Sequence, residues 1–156
     1  MCSHKFMKEA VSLAAKGIAE NDGGPFGSII VKNGIVVGRG NNKVTSNNDP
    51  TAHAEVVAIR DACKTLNTFQ LEGCDIYTSC EPCPMCLGAI YWARLDKIYY
   101  ANTRADASHI GFDDAFIYNE FNKDIDKRSI PLIQVGREEA LKVFNKWVKK
   151  QDKILY

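Results

Sequence analysis

The chain has 156 residues, enough for one ordinary domain with a substantial core. Apolar and charged fractions of 46% and 25% are typical of a soluble globular protein. The formal net charge is only +1 and no basic arm is present, which argues against a grip on long nucleic acid and for a small substrate.

Taken in order, Ser3 caps a first helix whose apolar stripe is Phe6, Met7, Ala10, Val11, Leu13, Ala14 and Ile18, ending near Glu20. Phe26 to Lys32 and Ile35 to Gly38 are β-rich runs joined by Asn33-Gly34, the pattern of a hairpin with a type I′ turn. Residues 39–52 are polar and turn-rich and read as a loop. Asp49-Pro50 then predicts a second helix, with aspartate as cap and proline at the first helical position. Its inward positions are Val57, Ala58, Ile59, Ala62, Cys63 and Leu66. Cys74 to Ser79 is a short strand, and Pro84 opens a third helix with Cys83 at its N-cap. That helix is apolar nearly all round and is expected to be deeply buried. Lys97 to Ala101 is the next strand, and strand, helix, strand implies a right-handed crossover with parallel pairing. A short helix over 113–121, a final strand over 131–135 and a last helix over 137–149 complete the chain. Together they predict a single α/β domain over 1–156, with a mixed five-stranded sheet carrying helices on both faces.

Two segments carry the chemistry, Thr51-Ala52-His53-Ala54-Glu55 and Ser79-Cys80-Glu81-Pro82-Cys83-Pro84-Met85-Cys86. His53, Cys83 and Cys86 supply one imidazole and two thiols, a set suited to zinc. Three protein ligands leave the fourth tetrahedral position open, the mark of a catalytic site. Glu55 is too hard a donor to join two thiolates and reads as the base beside a metal-bound water. In mid-helix, residues two apart point to opposite sides, so His53 and Glu55 would share no target. At a helix N-terminus first-turn side chains converge, and the same holds for Cys83 and Cys86. Two helix N-termini facing one ion would stabilise thiolates there. The alternative is a closed structural site with Cys80 as fourth ligand, for which the chain would have to curl back around Glu81-Pro82.

Six cysteines also suit a disulfide scaffold, but the length of the chain and a reducing compartment oppose that. Met1-Cys2-Ser3-His4-Lys5 lacks the apolar core of a signal peptide, and no apolar run approaches membrane-spanning length. The expected compartment is therefore the cytoplasm, with no membrane partner and with Cys2, Cys63 and Cys74 as ordinary residues.

The order His-x-Glu, then Pro-Cys-x-x-Cys, resembles the zinc nucleobase deaminases of the cytidine and deoxycytidylate deaminase superfamily. Pro25-Phe26-Gly27, Gly40-Asn41-Asn42, Asp49 to Glu55 and Thr78 to Cys86 resemble the bacterial guanine deaminases in particular. Leu87 to Arg94 and Gly111-Phe112-Asp113-Asp114 extend the likeness over the whole chain. The resemblance implies a three-layer α/β/α fold, one zinc per chain, a homodimer, and hydrolysis of guanine to xanthine and ammonia. It makes His53, Cys83 and Cys86 the zinc ligands and Glu55 the proton shuttle, with zinc-bound hydroxide attacking C2. Asn42 would meet a polar purine edge, the alternative being a turn asparagine. Phe26 and Trp92 would stack on the base, the alternative being core packing. Asp114 would accept from guanine N1–H or its amine, unless it only caps a helix. The backbone N–H of Ala54, with that of Cys83, would reach a substrate oxygen. Residues 150–156, ending in Ile154-Leu155-Tyr156, are expected to form a lid over an active site, the chain's own or a partner subunit's.

The rivals are tRNA adenosine deamination, deamination of another small base, and a non-catalytic zinc-stabilised binding module. Phe26 after the proline, where bacterial tRNA deaminases tend to carry valine, and a C-terminal quarter mixing Asp, Glu and Lys speak for a small purine and against a stable nucleic-acid partner.

Overall fold

The sheet begins at the hairpin that Asn33-Gly34 predicts. In this computed structural model both residues take positive φ, 50° and 78°, as a type I′ turn requires. They join β1 (Gly27–Lys32) to β2 (Ile35–Asn41) in antiparallel register, with an irregularity between Ile30 and Val31. β1 also pairs antiparallel with β3 (Cys74–Cys80), and β3 pairs parallel with β4 (Lys97–Asn102). The order is β2-β1-β3-β4. The structure describes residues 2–156 without the side chain of Cys2, whose expected ordinary role lies outside the described residues.

Side chains alternate across a strand, and this sheet uses both faces. Ile29, Val31 and Tyr77 pack with Phe6, Met7 and Leu13 of α1 (Cys2–Ala19). After α2, a single turn over Val44–Asn47, the chain forms α3 (Ala54–Leu66) and, beyond β3, α4 (Pro84–Trp92). Ile30, Leu71, Cys74 and Ile76 meet Ala58 and Ala62 of α3 and Ile90 of α4. The result is the expected three-layer α/β/α arrangement. Each fully buried Ile or Leu contributes roughly 1.5–3 kcal/mol relative to exposure. β2 lies so close to α3 that a Cβ on Gly40 would stand 2.3 Å from the Ala54 carbonyl oxygen. Among the described residues no helix is long and apolar enough to cross a membrane.

Four expectations change. The sheet has four strands, not five, because residues 131–135 form no strand. They fall in a separate unit, 115–156, whose regular elements among the described residues are α6 (Ala115–Phe121), a 3-10 turn (Ile125–Lys127) and α7 (Arg137–Lys149). A strand exists through its ladder, and that unit holds none to pair with. Asp49-Pro50 starts a turn, not the helix: Asp49 Oδ1 accepts from the Thr51 N–H at 2.8 Å and its hydroxyl at 2.7 Å. Proline's fixed φ suits either role, and the local side-chain bonds favour the turn. α4 is only half buried, with Tyr91 and Trp92 76% and 69% exposed. Finally, α5 (Arg104–His109) follows β4 in what reads as loop; the Thr103 hydroxyl and Asp106 carboxylate close a capping box there.

Candidate active site

The late start of α3 makes His53 its N-cap, Ala54 its first residue and Glu55 its second. Cys83 is likewise the N-cap of α4, with Pro84 first and Cys86 third. Both segments therefore present their side chains from an opening turn, where free N–H groups and the positive dipole end favour anions. His53 Nδ1 lies 3.5 Å from both Cys83 Sγ and Cys86 Sγ. All three ligand atoms fall within 4.8 Å of one another. Glu55, only 6% exposed, brings Oε2 to 3.3 Å from Cys86 Sγ, while its Oε1 accepts from the Thr78 hydroxyl at 3.2 Å. Thr78 comes from β3 at the floor of the site, a supporting residue for which the sequence carries no distinct signal.

The titrations follow from this crowding. Burial pushes the Glu55 carboxyl up, so it holds a proton more readily than an exposed glutamate. The Cys86 thiol's hydrogen bond pulls Cys83 down to about 4, with His53 adding to the effect. Cys86, the donor in that pair and itself buried, is pushed well up. The Cys83 sulfur in turn raises His53. Soft sulfur and imidazole donors at this spacing fit zinc and suit neither calcium nor magnesium. Cys80 stays out of the group: its thiol donates to the Thr103 carbonyl at 3.6 Å, and burial pushes it up to about 11. Among the described residues the set is thus one of three protein ligands.

The other sequence-chosen residues divide. Asn42, 5% exposed, sits just beyond β2, and the next residue's N–H donates to the carbonyl of Ala52, the neighbour of His53, at 2.9 Å. Asn42 Oδ1 accepts from the N–H groups of Gly24 (3.3 Å) and Val44 (3.1 Å). Phe26 gives its carbonyl to the Asn42 N–H, and its half-buried ring meets Phe112 edge-on at 5.0 Å. Ala54, fully buried, opens α3, so its N–H has no intrahelical acceptor. Asp114 Oδ1 accepts from Arg104 Nε at 2.9 Å, and the Arg104 N–H donates to Glu81, beside the cysteine segment, at 3.2 Å. Trp92 is not brought to the group: it stands at the far end of α4, about 13 Å along the axis from Cys83. Tyr156 belongs to the 115–156 unit and is 71% exposed.

The family model of the cytidine and deoxycytidylate deaminase zinc-binding region matches residues 1–102. The chain belongs to this deaminase family. Guanine deaminase of Bacillus subtilis (strain 168) is 56% identical over 142 residues, 91% of each chain. An X-ray structure of guanine deaminase from Bacillus subtilis superimposes with a TM-score of 0.95, at 53% identity over 98% of each chain. The tRNA-specific adenosine deaminase of Aquifex aeolicus (strain VF5) is 38% identical over 145 residues, 93% of each chain. In this deaminase family zinc is the cofactor, and the His53, Cys83 and Cys86 group fits one ion per chain.

Proposed function

We infer that this chain is a zinc-dependent guanine deaminase, a hydrolase that converts guanine and water to xanthine and ammonia. What carries the reading is a three-ligand sulfur and imidazole group beside a buried carboxylate, in a chain 56% identical to a guanine deaminase over 91% of its length. Identity to the tRNA-specific adenosine deaminase is lower at similar coverage, 38%, and a net charge of +1 offers little to an RNA backbone.

His53, Cys83 and Cys86 would hold zinc, and the bound ion would supply acidification of water, making hydroxide available near neutral pH. The rest falls to the chain. Glu55 takes a proton from the attacking water and passes it to a purine ring nitrogen, then takes the remaining proton from the new C2 hydroxyl and passes it to the departing amine. A C2–O bond forms, the C2–N bond breaks, and ammonia leaves. Thr78 fixes the Glu55 carboxyl through Oε1, keeping the shuttle aimed. Asn42, its oxygen already taken by two N–H donors, offers its amide nitrogen to a purine acceptor. Phe26, braced by Phe112, stacks on the base, and the N–H groups of Ala54 and Cys83 meet an oxygen. Asp114, oriented by Arg104, accepts from N1–H or the 2-amine and so favours guanine over adenine.

The chain acts as one deaminase over 1–156 and works as a homodimer in the cytoplasm. The exposed aromatic end of α4 supports assembly, Trp92 serving there in place of the base stacking expected of it. Residues 150–156 act as a lid over an active site of the dimer. Deleting 152–156 lowers kcat/KM much more than Tm; unchanged kinetics reject the lid. The test of function offers the zinc-loaded protein guanine, adenosine-containing tRNA and cytosine. Xanthine and ammonia from guanine in equal amounts support the assignment, whereas deamination of tRNA alone reverses it.

A further inference from the structure

The amide of Asn42 has one arrangement that its neighbours allow. Two backbone N–H groups, of Gly24 and Val44, point at the same side-chain atom, so that atom is the oxygen and the nitrogen is turned the other way. A Cβ on Gly23 would stand 2.2 Å from that oxygen, so the pocket around it is closed.

The stretch that carries Asn42 is held from outside by one residue. Asp22 Oδ2 accepts from Asn41 Nδ2 and from Lys43 Nζ, each at 2.8 Å, and so ties both chain neighbours of Asn42 to a single carboxylate oxygen. The Asp22 carbonyl accepts from the Thr45 hydroxyl at 3.0 Å and the Ser46 N–H at 3.1 Å. Its own N–H reaches back to the Gly17 carbonyl at 2.9 Å, anchoring the bracket in α1. The Asp22 side chain is 15% exposed, and that of its partner Lys43 35%. Four bonds thus converge on Asp22 from residues 41–46, three from side chains and one from the Ser46 backbone, and they flank one amide on both sides.

We propose that Asp22 is a positioning residue for the reaction, clamping residues 41–46 so that Asn42 presents its amide nitrogen to the bound base. This rests on the reading of Asn42 as a base contact. Asp22 touches no substrate; it acts through Asn42.

The test is a double-mutant cycle in steady-state kinetics with guanine, using Asp22→Ala, Asn42→Ala and the pair, each zinc-loaded and with zinc content measured. Losing one hydrogen bond to the base raises KM about tenfold in Asn42→Ala, with kcat changing far less. Asp22→Ala raises KM by about fivefold or more in the parent and adds nothing in the Asn42→Ala background. A purely structural role would instead multiply the defect by the same factor in both backgrounds and lower zinc content, and that result overturns the proposal. So does an unchanged KM in Asp22→Ala when Asn42→Ala raises it. An unchanged KM in Asn42→Ala overturns the base-contact reading and the proposal together, while guanine conversion by the parent still stands. Asp22→Asn, which keeps an acceptor in place, is read by the same cycle where the alanine variant does not fold.

Discussion

Replacing Gly40 by alanine puts a methyl group where β2 and α3 touch. It would stand 2.3 Å from the Ala54 oxygen and 2.5 Å from the Ala58 nitrogen, both backbone atoms that no rotamer change can move. Ordinary contact begins at 3.4 Å, so strand and helix have to part by about 1 Å. Overpacking of this kind costs roughly 1–3 kcal/mol. For a chain of this size that lowers Tm by about 3–10 °C. The functional cost is larger, because the turn that moves carries His53 and Glu55. A misplacement of about 1 Å at reacting groups reduces rate on the order of 10²-fold. Gly34→Ala is the control: its φ of +78° strains alanine by about 1–2 kcal/mol, yet nothing lies within 4 Å. Thermal melts and initial rates with guanine on zinc-loaded protein compare the two. Gly40→Ala should lose far more activity than Gly34→Ala; equal losses, or parental rates in both, would refute the reasoning.

Glu55→Gln keeps the shape and the acceptor for Thr78 but cannot take up a proton, so kcat should fall by about 10²–10⁴-fold at unchanged zinc content. Zinc binding to metal-free protein should release at least one proton at neutral pH, since Cys86 must ionise and His53, whose hold on its proton the Cys83 sulfur raises, must be neutral to ligate, while Cys83 is already ionised. Calorimetry in two buffers of different ionisation enthalpy reads this, and zero release would contradict it. Thr103→Ala removes the cap of α5 and should cost about 1 kcal/mol in denaturant melts near neutral pH. Thr103 hydrogen bonds hold Asp106 below its usual 3.8, so that contribution is present above this pH and fades as pH falls through the folded value. The gap between parent and Thr103→Ala should therefore narrow in acid.

The parts of the fold that local chemistry dictates were readable in the sequence. Asn33-Gly34 specifies its turn by a φ requirement that few residues meet, and Cys83-Pro84 specifies a helix start because proline suits the first position. Residues 131–135 show the opposite case: β propensity is present, but a strand needs a neighbour, and no local pattern reports one. Asp49-Pro50 misled because the same pair opens both turns and helices, and the Thr51 hydroxyl decided between them. α5 was missed although Thr103 and Asp106 carry the capping-box spacing. In the site, ligand identity is a matter of spacing and was legible. The Thr78 support of Glu55 and the orientation of the Asn42 amide depend on strands and loops distant in sequence.

The central claim is an open three-ligand zinc centre, and X-ray absorption at the zinc edge, read beside metal stoichiometry, tests it most directly. The expected result is one zinc per chain with two sulfur ligands, one imidazole and one exchangeable solvent oxygen. A third sulfur, brought in by Cys80, would contradict it.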